Sequence, residues 1–202
     1  MNIFQILAIC GMASPIVYTT MWILGGILRP DYSHIRDDIS SLFAVDAPNR
    51  RLFQSFIIAS SVLLFLFYIG LHEGLNDGGG SILGPFLFLT SSFLGVLVAF
   101  FFPLDAGGEM TTLRGKMHTI LVIASGILTI AGMVALWLRL QSIAAWSAFA
   151  TYSLISAIAS FILIIIAGIF VTSNYRGLFE RLGVTPYQLY YFVLSLMVFL
   201  AN

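Results

Sequence analysis

Two histidines and a set of carboxylates are the residues of this chain best suited to chemistry: His34 and His118, with Asp37, Asp38, Asp105 and Glu109. Imidazole and carboxylate together can bind zinc or another divalent ion, or pass protons as general acid and base. The spacing selects neither use, because there is no His-x-x-x-His, HExxH or CxxC. The metal is left unassigned, and His118, Asp105 and His34 stand as the catalytic candidates. The structural alternative has His118 orienting a helix end and bonding Asp105. Asp37 and Asp38 would then pair with Arg36, Arg50 or Arg114, since ion-pair networks gather the same residue types. Ser40 and Ser41 follow the acidic pair, and either could serve as a nucleophile beside His34 or His118. No G-x-S-x-G elbow supports this, and adjacent serines after acidic residues commonly cap a helix. Arg50, Arg51 and Arg114 suit a phosphate, because a guanidinium presents paired donors to an oxyanion.

These groups must be positioned by an apolar scaffold. The chain has 202 residues, 59% hydrophobic and only 9% charged, against roughly 25% charged in soluble domains. Six continuous apolar stretches, near residues 3–28, 52–71, 82–102, 117–138, 144–172 and 187–201, approach the ~20 residues needed to cross a bilayer. They do not alternate, which excludes a strand barrel. The expected fold is all-α: an integral membrane bundle of six transmembrane helices in one domain, 1–202, with a long ordered loop after the first helix. The first stretch is read as a span and not a removed signal segment, because no Lys or Arg precedes it.

Six crossings divide the connections between two faces. Face one holds 29–51, 103–116 and 173–186; face two holds the N-terminus, 72–81, 139–143 and Asn202. Arg29, Arg36, Arg50, Arg51, Arg114, Lys116, Arg176 and Arg181 fall on face one, and only Arg139 on face two. Basic residues favour the cytoplasmic side, so the count places face one in the cytoplasm of a cell whose plasma membrane the chain crosses. Face one also carries most of the acidic residues. Residues 29–51 are too long for a plain turn. Ile35, Ile39 and Leu42 have helical spacing there, predicting a short amphipathic helix on the membrane or folded over the bundle mouth. Residues 72–81 read as a flexible turn, Pro15 as a kink, and Thr111 or Thr112 as a helix cap. Ser156, Ala157, Ser160, Gly126 and Gly132 suit close helix packing.

Several functions are disfavoured. Net charge is zero, so no field draws nucleic acid. The single Cys10 forms neither an intrachain disulfide nor a thiolate cluster. His72 lies on the face opposite His118, so no pair faces across a haem. No cofactor is indicated. No charge lies near a span centre, which weakens an ion-coupled transporter.

The chain resembles the six-helix membrane family catalogued as domain of unknown function 998. The resemblance rests on Pro30-Asp-Tyr-Ser-His34, Asp38-Ile-Ser-Ser-Leu42, Pro48-Asn49, Phe102-Pro-Leu-Asp105, His118, and Gly177-Leu-Phe-Glu-Arg-Leu-Gly183. It spans essentially the whole chain. A more distant likeness is to DRAM-like membrane proteins, including lipid-remodelling factors. Their Ile-Ser-Asp-Thr-Gly tract is here Ile39-Ser40 followed by Ser41-Leu42-Phe43. That likeness implies a non-cytoplasmic loop, against the charge count. The functional expectation is binding of a membrane lipid or amphiphile at a mouth formed by the three face-one loops, with Asp38, Ser40, Asn49, Arg50 and Arg114 as ligand contacts. The alternative is a non-catalytic accessory subunit with a membrane-protein partner or a second copy of itself. A small transporter ranks below both.

Overall fold

In a computed structural model of the chain, residues 1–108 and 110–202 are described. Glu109, one of the carboxylates considered above, lies outside them. Six long helices, each apolar enough to cross a membrane, form the fold: α1 (Ile3–Leu28), α2 (Arg50–Ile69), α4 (Leu83–Phe101), α5 (Leu113–Leu140), α6 (Ser147–Ile169) and α7 (Arg176–Ala201). A single turn, α3 (Leu71–Gly74), follows α2. No strand occurs among the described residues. Neighbours pack in the ring order α1, α2, α4, α5, α6, α7 and back to α1.

Local chemistry sets the helix starts. Asn2 and Gln5 form a reciprocal capping box on α1, at 2.9 and 3.0 Å. Thr112 caps α5 by accepting the Gly115 N–H at 3.2 Å. Helix α7 begins well before residue 187. Proline removes one donor, yet α7 runs through Pro186 and α1 through Pro15. A chain in hydrocarbon has no better way to satisfy its remaining backbone groups.

The connections sort onto the two expected faces. On face two the Asn2 side chain donates to the Asn202 carbonyl at 3.2 Å, and the Asn202 side chain to the Gly74 carbonyl at 3.0 Å. Residues 71–81 are not a plain flexible turn. They wrap Arg139, which donates to the carbonyls of His72, Leu75, Gly79 and Ser81 and contacts His72 Nδ1 at 3.1 Å. Burying a cation requires that every donor find a partner, and this loop supplies them.

On face one, residues 29–49 fold back over the bundle as a lid. Tyr32, Ile39, Leu42 and Phe43 are buried with Met21 of α1 and Phe53 of α2. The predicted amphipathic helix does not form; only a 3-10 turn at Ser40–Leu42 does, and Ile35 is exposed. The Asp37 carboxylate takes the Ser33 N–H and the Asp38 carboxylate the Ser41 N–H, both at 2.8 Å. Such local bonds compete with helix hydrogen bonds. Gly177 is needed at the lid's seat on α7, where a Cβ would strike the Asp37 carbonyl.

Candidate functional site

The three face-one segments do meet. The Val45 N–H donates to the Leu104 carbonyl at 3.0 Å, and the Leu178 N–H to the Ile35 carbonyl at 2.9 Å. The sequence candidates nevertheless separate into distinct groups. Among the described residues no three His, Cys, Asp or Glu side chains converge as metal ligands.

Asp105 is buried at the start of α5 and accepts from the Thr112 hydroxyl at 2.7 Å, the Thr112 N–H at 2.9 Å and Arg114 at 2.9 Å. Those bonds hold its carboxyl down at about 2, with the Thr112 hydroxyl contributing most. Asp105 is thus an ionised anchor, and the expected His118–Asp105 bond is absent. His118 instead places Nδ1 2.7 Å from the Phe102 carbonyl and Nε2 3.3 Å from Ser40 Oγ. Phe102 offers only an acceptor, so Nδ1 carries the proton and the Nε2 lone pair faces the Ser40 hydroxyl.

His34 belongs to a different group. Its ring meets Trp22 and Tyr32 edge-on, each at 5.4 Å, and its Nδ1 is buried without a partner. Burial, and then the Arg181 charge, lower its pKa, so it stays neutral near pH 7. Asp38 lies 3.7 Å from Arg176, and Asp37 3.3 Å from Arg36. Asn49 precedes α2 in the left-handed region (φ 57°) and makes no side-chain cap. Arg50 borders a shallow depression with Asp46, Asn49 and Arg51, and its Nε is buried without a partner.

Sequence reasoning missed the residue that ties the lid down. Arg181 is buried on the first turns of α7 and donates to the His34 carbonyl at 2.7 Å, the Asp37 carbonyl at 3.0 Å and the Tyr32 hydroxyl. Its guanidinium lies 5.5 Å from the rings of both Trp22 and Tyr32. Beside it the Glu180 carboxyl accepts the Ile39 N–H. The available signal was a Glu-Arg pair placed against an apolar span. Below Arg181 and Trp22 a groove of 390 Å³ runs between α1 and α7, walled largely by Ile16, Val184, Leu189 and Phe192.

A six-span α-helical bundle with a folded polar lid is a multi-pass membrane protein by architecture. The family model described as "Protein of unknown function (DUF998)" matches residues 12–197, and the chain belongs to that family. No curated protein and no solved structure matches it.

Proposed function

We propose that this protein binds a membrane amphiphile at its face-one end, with an acyl chain in the groove between α1 and α7. The groove carries this reading: most of its surface is apolar although Thr19, Thr20, Thr185 and Gln188 also line it, it is closed at its upper end by Arg181 and Trp22, and it is open where Ile16 and Leu189 are more than half exposed. Ligand sites are concave, mostly apolar and provided with few polar groups. We assign the face-one lid to the cytoplasmic side of the plasma membrane. The support is charge: Arg139, the basic residue of the other face, is buried among carbonyls and contributes little to the loop excess.

Native mass spectrometry of the protein released from nanodiscs tests the binding. The wild type is expected to retain a bound lipid through mild detergent, and Leu189→Trp, which fills the groove from its exposed wall, to shed it. A monodisperse wild type that carries no lipid would overturn the reading. A stoichiometric membrane partner retained in lipid's place would favour the accessory role.

One observation favours a second reading, acyl transfer or hydrolysis at Ser40. A hydroxyl facing the lone pair of an imidazole that is itself held by a carbonyl is the nucleophile–base–orienter arrangement. A fluorophosphonate probe should then label the wild type but not Ser40→Ala or His118→Gln. Equal labelling of all three removes this reading.

A further inference from the structure

Behind the groove, at mid-height in the bundle, lies a chamber of 170 Å³ whose wall is drawn from α1, α2, α4, α5 and α7. Ser14, Ser60, Ser91 and Ser125 line it, each near the middle of its helix. The hydroxyls are paired across helices: Ser14 Oγ with Ser60 Oγ at 3.1 Å, and Ser91 Oγ with Ser125 Oγ at 2.9 Å. Ser91 continues to Thr129 at 2.8 Å, and Thr129 to Tyr191 at 3.4 Å. Pairing of this kind joins membrane helices, but joining helices requires no void. The volume is well above the ~10–15 Å³ that one water needs.

The chamber also has unspent hydrogen-bonding capacity. Gln188 Oε1 is buried and accepts from nothing. Gln188 and Tyr18 line both the chamber and the α1–α7 groove, so they form the partition between the two. Among the described residues no Asp, Glu, Lys or Arg lies in the chamber wall. At the groove's upper end the Arg181 amino groups are engaged by the lid and by Gly177, and its Nε alone is buried without a partner.

We infer that the chamber is the head site of the amphiphile in the groove, and that it takes an uncharged head bearing a hydroxyl or amide donor. The inference rests on the groove binding proposed above. The wall excludes a phosphate, because an anion brought to mid-membrane would meet no cation there. Once the Gln188 side chain turns inward it favours a donor, because Oε1 is an acceptor left without a partner. An acyl chain lying along Ile16 and Phe192 lets the head turn inward between Tyr18 and Gln188.

Photocrosslinking separates this from the groove reading. Wild-type protein in phosphatidylcholine nanodiscs is exposed to dioleoylglycerol or to dioleoyl phosphatidic acid, each with the same diazirine-bearing acyl chain. Labelled peptides of α1 and α7 are quantified. The neutral probe should label them about tenfold more than the acidic one, the ratio expected from one hydrogen bond otherwise left unmade. Two variants, Gln188→Leu and the chamber-filling Ser61→Val, each first checked to elute as the wild type does on gel filtration, should bring the probes to parity without abolishing labelling. Equal labelling in the wild type refutes the head site and leaves the groove standing. No labelling by either probe refutes both. Preference surviving in both variants places the selectivity elsewhere and overturns the inference.

Discussion

Replacing Arg181 by methionine should open the lid without unfolding the bundle. Arg181 gives residues 29–49 three hydrogen bonds: to the carbonyls of His34 and Asp37 at 2.7 and 3.0 Å, and to the Tyr32 hydroxyl. Hydrogen bonds involving a charged group contribute ~1.5–3 kcal/mol each. Nη1 is shared between the two lid carbonyls and Gly177, so the three count as two. The freed carbonyls then recover water at the membrane surface, which brings the loss to the low end, about 3 kcal/mol. At ~1.4 kcal/mol per decade that is roughly a hundredfold shift in the lid's opening equilibrium. Hydrogen exchange in nanodiscs reads it directly. The amides of Ile39 and Val45, which bond to Glu180 and Leu104, should exchange about a hundredfold faster, while those in the middle of α5 keep wild-type rates. Arg181→Lys should recover less than half of the protection, since one ammonium cannot span the same acceptors. Unchanged exchange at Ile39 in a folded Arg181→Met protein would show that the apolar seat of Ile39, Leu42 and Phe43 holds the lid alone, and the hydrogen-bond reasoning fails.

Four further outcomes follow from the fold. The Asp105 carboxyl titrates at about 2 in the fold against an ordinary 3.8, so its stabilisation is complete above the unfolded value and is lost as pH falls through the folded one. Melting temperature should be flat from pH 8 to about 5 and should fall between about 4 and 2; Asp105→Asn should lose the part of that acid limb which this carboxyl supplies. Arg139→Met strips the 71–81 loop of its shared donor at a cost of about 3 kcal/mol, read as a melting temperature lower by roughly 6–12 °C. Gly11→Ala drives a methyl into Ser195 Oγ and the Phe67 ring and should cost ~1–3 kcal/mol. Gly168→Ala, with nothing within 4 Å of the added carbon, should be neutral or stabilising by up to ~1 kcal/mol in the same thermal assay.

The bundle was legible because a membrane helix announces itself by composition: a continuous apolar run satisfies hydropathy wherever it packs. Helix ends were less so. Residues 176–186 carry Arg176, Glu180, Arg181 and Pro186, which lower hydropathy and suggest a break, yet the helix starts at Arg176. The apolar residues of the lid showed that it is ordered but left it either on the membrane or over the mouth, and its conformation was not legible, because it is set by partners far along the chain. His34 and Asp37 present their carbonyls to an arginine more than 140 residues away. The two histidines looked like one site because both lie on face one. The fold gives His118 to Ser40 and Phe102, and His34 to Trp22 and Tyr32. The mid-span serines were hidden for the opposite reason: a lone hydroxyl barely alters the mean hydropathy of an apolar window.

The ion pairs and the uncharged chamber occupy different places in this molecule. The face-one ions largely close the face on itself, Arg114 on Asp105, Arg36 on Asp37, Arg29 on Asp31 and Arg176 on Asp38. Those ion pairs stabilise a lid more readily than they would capture a headgroup. The chamber differs in kind. Interhelical hydrogen bonds in membranes average only ~0.6 kcal/mol in double-mutant cycles, and a void forfeits packing contacts that a filled interior would make. A bundle selected only to hold together would fill this level with alanine and leucine. Five helices instead bring polar groups to one height around a cavity of 170 Å³, with an unmet acceptor beside the groove. Stability alone does not account for that arrangement; the neutral, hydrogen-bonding head proposed above would.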